Sequence, residues 1–238
     1  MKDAERFDST CKDGSDGRVA LFPDLNLTGI CLDLERHAFE SGYRYIAGID
    51  EVGRGCLAGP VVAAACILDV TEPLIEGIDD SKKLAPKTRE SLAEQLRSKC
   101  IAFATGQVEA EEIDQINILE ATKKAMRAAL EKLEPKADFL LIDAVTLKDI
   151  SVPQRSIIRG DSLCGSIAAA SILAKTYRDS LMREYHEKYP HYGFHNHVGY
   201  ATSEHRSALR EHGASPIHRR SFRGVLPADH LSLNGGLV

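Results

Sequence analysis

Four carboxylates hold similar places in the sequence, each at or near the end of an apolar segment. Asp50 and Glu51 follow the run YIAGI, and Asp143 follows ADFLLI. Asp161 follows SIIRG, just ahead of a long helical pattern. In an open α/β sheet, neighbouring strands deliver their end residues to one crevice, so these side chains are expected to converge. Unpaired negative charges gathered in one place are costly, and a bound cation is the usual remedy.

A donor set made only of carboxylate oxygen favours Mg²⁺ or Mn²⁺ over zinc, because these hard cations prefer oxygen to thiolate or imidazole. Two such ions, about 3.5–4 Å apart, activate a water and stabilise the leaving oxygen during an in-line attack on phosphorus. The pattern therefore predicts a metal-dependent phosphoryl-transfer site.

Each acid also has a simpler interpretation. Paired acids such as Asp50 and Glu51 commonly lie in a solvated turn, Asp143 is suited to begin a turn, and Asp161 is suited to cap a helix. The coincidence of three strand-end placements favours the metal hypothesis without excluding these alternatives.

A glycine-rich turn, Gly53-Arg54-Gly55, follows the acidic pair after one residue. Such turns often only reverse the chain. Alternatively, the two glycines let backbone groups approach a phosphate or ribose closely, while the arginine supplies a forked donor. The second interpretation gains weight because the turn follows a candidate metal pair.

The bulk composition limits the class of protein. A chain of 238 residues with 43% hydrophobic residues is large enough for one main domain with a full core. The formal charge of −5 argues against a wholly basic polynucleotide binder but allows a local basic face. The six cysteines include no CxxC pair, and no apolar run is long enough for a signal peptide or membrane span, so we expect a cytosolic protein with reduced thiols.

Hydrophobic periodicity predicts three early strands followed by alternating strands and helices, which indicates a mixed α/β sheet. Residues 1–24 show no periodicity and are expected to be disordered or loosely attached. The predicted strands are 45–50, 60–69, 100–108, 137–143 and 156–161. The predicted helices are a short one within 31–43, one from Pro86, one over 113–133 and a long one over 163–189.

Taken together, the motifs resemble those of bacterial ribonuclease HII, over about residues 31–225 and in the family's order. The motifs that carry the resemblance are GIDEVGRGCLAGPVVAAACIL, DSKKL, INILEATKKAM, LLIDA, GDSLCGSIAAASILAK, YGFHNHVGYAT and SPIHRRSF. The resemblance implies a ribonuclease H-like fold, with a five-stranded mixed sheet flanked by helices and a helical C-terminal region. It also implies a flexible extension at 1–30, a catalytic domain at 31–225 and a tail at 226–238.

The resemblance further implies an endonuclease that uses Mn²⁺ or Mg²⁺. Its expected substrates are RNA–DNA hybrids and single ribonucleotides embedded in duplex DNA, cut on the 5′ side to leave 3′-hydroxyl and 5′-phosphate ends. The biological role implied is the excision of ribonucleotides from DNA. The family's metal-binding, catalytic acids correspond to Asp50, Glu51, Asp143 and Asp161.

The substrate contacts implied by the resemblance lie in three segments. Gly53, Arg54 and Gly55 match the turn that contacts the ribonucleotide 2′-hydroxyl, and Tyr200 matches the tyrosine that packs against the following deoxyribose. Lys82 and Lys83 in DSKKL are predicted to contact the duplex backbone, with a solvated helix entrance as the alternative.

Two residues depart from the family pattern, since Val198 and Cys164 stand where relatives often carry lysine. We expect these changes to affect substrate affinity more than chemistry. A monomer is expected, with a sliding clamp as an additional partner through the C-terminal tail.

Three other functions stay open on the sequence. A zinc site at His191, His195 and His197 is disfavoured, because no cysteine follows residue 164 and the spacing is not that of a structural zinc site. A two-metal nuclease for another substrate, such as a DNA junction, shares the predicted chemistry. A non-catalytic hybrid-binding module would need the four acids to be incidental.

Overall fold

The five strands form one mixed sheet in the order β3-β2-β1-β4-β5. The computed structural model describes residues 27–226. Strands β1, β2 and β3 pair antiparallel, whereas β4 pairs parallel to both β1 and β5. The strands are β1 Ile46–Val52, β2 Val61–Ile67, β3 Ala102–Val108, β4 Phe139–Asp143 and β5 Gln154–Ile157. The predicted mixed α/β architecture is confirmed.

Helices flank the sheet and follow β5 in the C-terminal part of the described chain. They are α1 Asp33–Glu40, α2 Pro86–Lys99, α3 Ala110–Ile116, α4 Ile118–Lys132, α5 Gly165–Lys188, α6 Phe194–His197 and α7 Ser203–His212. Short 3₁₀ turns occupy Gly160–Ser162 and Pro190–Tyr192. Within residues 27–226, no helix combines the length and apolar character that a membrane span needs.

Both faces of the central strands are buried, which explains their nearly continuous apolar sequences. Along β2, Val61, Ala63 and Ala65 pack in the same cluster as α4, while Val62 and Ala64 pack with α2 and α5. This alternation follows from the two-residue period of a strand. The sheet therefore forms the middle of a three-layer structure.

Helix α5 lies unusually close to β1 because small residues face each other. A Cβ added at Gly48 would lie 2.1 Å from the backbone carbon of Ser166, so only glycine fits there. The run Ala168, Ala169 and Ala170 is fully buried in the same helix. This close contact holds the start of α5 against the strand that carries the acidic pair.

The helix predicted over 113–133 is in fact two helices, so that prediction was wrong. Asn117 breaks the run with a φ of 68°, and its side chain accepts hydrogen bonds from the backbone of Leu119 and Glu120 at 3.0 and 3.1 Å. Asparagine tolerates the left-handed region and caps helices well. Apolar periodicity that continues across the break concealed it.

Two predicted strand ends were also wrong. Strand β1 continues past its predicted end at Asp50 through Glu51 to Val52, so both acids are paired with β2. Strand β5 ends at Ile157, and Asp161 lies beyond it in a 3₁₀ turn entered through Arg159 at a φ of 57°. Most of the predicted N-terminal extension and C-terminal tail lies outside the described residues.

Candidate active site

The sheet register brings the first two acids together. Gly48 pairs with Leu141 and Ile49 with Ile142 in the parallel β1–β4 ladder, so the next position places Asp50 level with Asp143. Because the two strands run parallel, both side chains emerge at the same edge of the sheet. The predicted convergence of these strand ends is therefore observed.

The other two acids join this pair from adjacent backbone. Glu51 follows Asp50 in β1, and Asp161 is brought to Asp143 by the turn after β5, where Gly160 N donates to Asp143 Oδ1 at 2.8 Å. The charges of Glu51 and Asp143 act on Asp50, and the charge of Asp161 acts on Asp143. All four predicted carboxylates thus belong to one electrostatic cluster.

Burial makes this cluster costly in its charged form. Asp50 is only 4% exposed, and its burial raises the pKa of its carboxyl well above the usual range, with Glu51 adding to the effect. Burial also raises the pKa of Glu51 despite a hydrogen bond from Arg54, and the pKa of Asp143 despite the bond from Gly160. The site therefore lacks positive charge.

Two basic side chains supply part of that charge. Lys82 Nζ lies 3.6 Å from Asp161 Oδ2, and Arg54 Nη1 lies 3.1 Å from Glu51 Oε1. Burial by itself lowers the pKa of Lys82, but Asp161 and then Asp50 raise it, and the net direction is upward. The side chains of Arg54 and Lys82 are 45% and 70% exposed, so they also face the solvent side of the cluster.

The donor set suits a hard divalent cation. Glu51 Oε2 is buried and has no hydrogen-bond partner, which is the condition of an oxygen left for a ligand. Carboxylate oxygens are the donors that Mg²⁺ and Mn²⁺ prefer. As they are placed, however, no three His, Cys, Asp or Glu side chains among residues 27–226 already enclose an ion. Cation binding would therefore require the acids to turn away from their present hydrogen bonds.

Sequence reasoning missed the residues that hold the DSKKL segment beside the acids. Ser171 of α5 hydrogen-bonds the Asp50 side chain, and its hydroxyl lies 2.9 Å from that of Ser81. Arg89 donates to the Ser81 carbonyl at 2.8 Å and to Asp179 at 3.1 Å. Single buried serines have no distinctive sequence pattern, so only the packing reveals this chain of contacts to Lys82.

The glycine turn is shaped by a buried arginine. Gly53 has a φ of 90°, and a Cβ added there would lie 2.2 Å from Nε of Arg178. Both the backbone conformation and the space therefore require glycine at this position. Arg54 and Gly55 are exposed at the tip, and nothing lies within 4 Å of a Cβ added at Gly55.

Tyr200 is presented by a tight loop after α6. Its side chain is 39% exposed, with Lys175 Nζ at 5.9 Å from the ring centroid. The loop contains Val198 and Gly199, with φ values of 43° and 87°. A positive φ is strained for a β-branched residue, so the surrounding contacts must hold the loop in this shape.

Lys83 and Cys164 do not lie where they could contact a phosphate at the acids. Lys83 pairs with Asp79 at 3.5 Å on an exposed surface, so Lys82 alone of the two lysines reaches the acids. Cys164 is fully buried and contacts Glu35 at 3.1 Å, so it cannot take the place of a phosphate-binding lysine.

The disfavoured zinc cluster does not form among the described residues. His195 packs on His186, and His191 packs on His212. His197 instead stacks on His205, with ring centroids 4.5 Å apart.

The fold and site define the class of protein as a metal-dependent nuclease with a ribonuclease H-like sheet. A solved ribonuclease H2 from Pyrococcus horikoshii has a similar fold, with a TM-score of 0.66, 27% identity and coverage of 76% of this chain and 95% of that one. The ribonuclease HII in a PCNA complex from Archaeoglobus fulgidus gives a TM-score of 0.61 and 30% identity, covering 70% and 85%.

Sequence comparison identifies the family within this class. The family model described as ribonuclease HII matches residues 47–225. A ribonuclease HII of Desulfitobacterium hafniense is 55% identical over 191 residues, which are 80% of this chain and 73% of the relative. The chain belongs to the ribonuclease HII family, which confirms the resemblance read from its motifs.

Proposed function

We propose that this protein cleaves the RNA strand of RNA–DNA hybrids and cuts on the 5′ side of single ribonucleotides embedded in duplex DNA. The products would carry 3′-hydroxyl and 5′-phosphate ends. The observation that carries the proposal is the placement of four mutually interacting carboxylates beside an exposed glycine turn. Residues 31–225 would form the catalytic domain.

Asp50, Glu51, Asp143 and Asp161 would hold Mg²⁺ or Mn²⁺ and are the catalytic residues of the proposal. When bound at two positions, such ions activate water and stabilise the leaving oxygen of a phosphodiester. The partnerless Glu51 Oε2 and the raised pKa values of three of these carboxyls support this role, because both reflect negative charge without enough compensation.

The nearby basic residues would act on the substrate backbone. Lys82 and Arg54 neutralise the acids in the present arrangement and are exposed enough to turn toward a phosphate. A divalent cation at the acids would release both side chains for that contact. Lys83 would add a weaker, peripheral phosphate contact, because its position is exposed and distant from the acids.

Selection of the ribonucleotide would depend on the turn and the tyrosine. The buried Gly53 shapes the turn, and the exposed backbone of Arg54 and Gly55 is open to close approach by a sugar. The 2′-hydroxyl is the group by which a protein distinguishes RNA from DNA. The exposed face of Tyr200 would pack on the next deoxyribose. Together these contacts would test for an RNA-to-DNA junction.

A duplex with one embedded ribonucleotide tests the proposal most stringently. In Mg²⁺ or Mn²⁺, we expect one nick on the 5′ side of that ribonucleotide, with a 3′-hydroxyl and a 5′-phosphate that a ligase can reseal, and no cut in the all-DNA duplex. A branched DNA junction serves as the second control. Cleavage of the junction with no cleavage of either RNA-containing substrate would overturn the assignment.

We propose that the enzyme is a cytosolic monomer and that its protein partner is a sliding clamp. The support is that the Archaeoglobus fulgidus relative was solved in a complex with PCNA. Residues 226–238 would make the contact. Binding of the full chain to the clamp, compared with a chain ending at residue 225, measures this directly. Equal binding by the two chains would reject the tail as the contact.

A further inference from the structure

The segment at 215–219 contacts both of the proposed recognition elements. Its backbone pairs with the residues that follow the glycine turn, since Gly59 N donates to Ile217 O at 2.8 Å and Arg219 N donates to Leu57 O at 2.9 Å. This segment belongs to the motif SPIHRRSF, to which the proposed chemistry assigns no role. Its position nevertheless links the glycine turn to the Tyr200 loop.

Arg219 attaches the segment to the glycine turn through its side chain. The guanidinium is fully buried and donates to Arg54 O at 2.9 Å and twice to Gly59 O at 3.0 and 2.9 Å. Burial lowers the pKa of Arg219 to about 10, which still leaves it charged near neutral pH. The rigid fork of donors holds two carbonyls at once in fixed directions, whereas the three donors of a lysine all lie on one freely rotating nitrogen.

Arg178 packs against Gly53 of the turn and joins the residues after the turn to the Tyr200 loop. It is also fully buried, and it donates to Pro60 O at 2.9 Å, Ala58 O at 3.1 Å and Val198 O at 2.9 Å. Leu57 N adds a backbone bond to Gly199 O at 2.9 Å. The two recognition elements therefore share one buried network of hydrogen bonds.

A pair of buried histidines carries this network to the carbonyl of Tyr200. Ser215 N donates to His218 Nδ1 at 3.0 Å, so the proton of a neutral His218 is on Nε2. That nitrogen lies 2.9 Å from His205 Nε2, which must therefore accept, and His205 Nδ1 then donates to Tyr200 O at 2.9 Å. The partners thus assign one tautomer to each ring.

Both rings are neutral near physiological pH. Burial lowers the pKa of His218 to about 3, with His205 adding to the effect, and burial also lowers the pKa of His205. Charging His205 would place two N–H groups against each other at the shared contact, and charging His218 would place its new N–H against the backbone N–H of Ser215. The pair is therefore a fixed strut rather than a proton carrier.

We propose that His205 and His218 are positioning residues for ribonucleotide recognition, because they hold the Tyr200 backbone at a set distance from the glycine turn. This inference rests on the proposed function, in which the turn and Tyr200 test adjacent sugars. A displacement of about 1 Å between such groups can cost on the order of 100-fold in rate. Recognition groups need second-layer contacts of this kind to stay in place.

Two substitutions at residue 205 separate positioning from bulk packing. The amide nitrogen of His205→Asn takes the place of Nδ1 and can still donate to Tyr200 O, whereas His205→Leu fills the space without any donor. We expect His205→Leu to lower kcat/KM on the single-ribonucleotide duplex about 10-fold. His205→Asn keeps the donor to Tyr200 O but no longer reaches His218, so it should lower kcat/KM only about 3-fold. Equal losses in both variants would overturn the proposal.

A double-mutant cycle with Tyr200→Ala tests whether the histidine acts through the tyrosine. If it does, the double variant with His205→Leu will be no slower than Tyr200→Ala alone, within about 2-fold. Independent, multiplicative losses would reject the role. His212→Leu, an exposed histidine on the same helix, is the control and should match wild type.

The design also distinguishes this inference from the proposed function. A wild type that cuts the hybrid but never the single-ribonucleotide duplex would count against the proposed substrate, and the same cycle on the hybrid would still decide the histidine role.

Should His205→Leu fail to fold, His218→Gln replaces it, since its amide nitrogen keeps the donor toward His205 and loses only the contact to Ser215. That variant should then resemble wild type, and a 10-fold loss would contradict the proposed strut.

Discussion

Two regions beside the glycine turn bury charge in opposite ways. At the sheet edge, Asp50 and Glu51 are buried with too little positive charge, and Glu51 Oε2 has no partner. On the other side of the turn, Arg178 and Arg219 come from distant parts of the chain and are buried more completely, yet each donates three hydrogen bonds to backbone carbonyls. The first region is prepared for a ligand, and the second is complete as it stands.

The difference shows why burial alone does not identify a functional site. A buried charge with all its hydrogen bonds made stabilises the structure that surrounds it, whereas one left uncompensated destabilises the folded state until a ligand binds. Neither arginine pairs with a carboxylate among residues 27–226, so backbone carbonyls alone satisfy them. Removing charge from the two regions should therefore change stability in opposite directions.

The largest expected effect is on turnover. Asp50→Asn should lower nuclease activity by more than about 10³-fold, or about 4 kcal/mol, because a metal ligand is lost. Without divalent cations the variant should unfold at the same temperature as wild type or higher, since it lacks an uncompensated buried charge.

Asp138→Asn is the matched control for this experiment. Asp138 lies at the opposite end of the same strands, where it accepts hydrogen bonds from the backbone of Arg44 and Tyr45 at 2.8 and 2.9 Å. It should lose stability but keep turnover. Full activity in Asp50→Asn, or inactivity in Asp138→Asn while it is folded, would contradict the assigned roles.

Removing charge from the arginine region should lower the stability of the fold. Arg178→Met should lower the free energy of unfolding by about 3 kcal/mol, or roughly 6 to 12 °C in melting temperature, because three buried carbonyls lose their donor. Calorimetry measures this. Arg183→Met on the same helix is the control, since its exposed pair with Glu90 should contribute less than about 1 kcal/mol. Equal effects of the two substitutions would remove the proposed contrast.

Cation binding should stabilise only the carboxylate region. At a concentration 100 times its Kd, Mg²⁺ or Mn²⁺ should raise the free energy of unfolding by about 2.7 kcal/mol. Adding EDTA should reverse the gain, and Asp50→Asn should reduce it strongly, whereas Asp138→Asn should keep it. A gain of the same size in all three proteins would place the cation elsewhere.

The smallest effect concerns acidic pH and the histidine pair. Between pH 3 and 6.5 an unfolded histidine binds a proton that the folded His218 does not, so stability is lost as pH falls below about 6.5. At pH 5 this amounts to about 2 kcal/mol. Unfolding of wild type and His218→Gln at pH 7.5 and 5 measures it, and the loss should be smaller in the variant. Parallel curves would show that another group is responsible.

Much of the fold was predictable from local patterns. Continuous apolar runs identified the central strands, because both of their faces are buried, and Pro86 marked the start of α2. The break at Asn117 and the early end of β5 were missed. In both places apolar spacing continued while the backbone changed direction, and a single residue at positive φ decided the outcome.

The candidate site was predictable in its acids but not in its supports. The sequence by itself determined which carboxylates lie at or near the ends of neighbouring strands and which turn needs glycine, since strand period and backbone sterics are local properties. Only the tertiary structure decided that Lys82 rather than Lys83 faces the acids, and that His205 and His218 share a hydrogen bond. Those contacts join segments distant in sequence, and nothing in the spacing of a chain specifies which buried polar groups will meet when its layers pack.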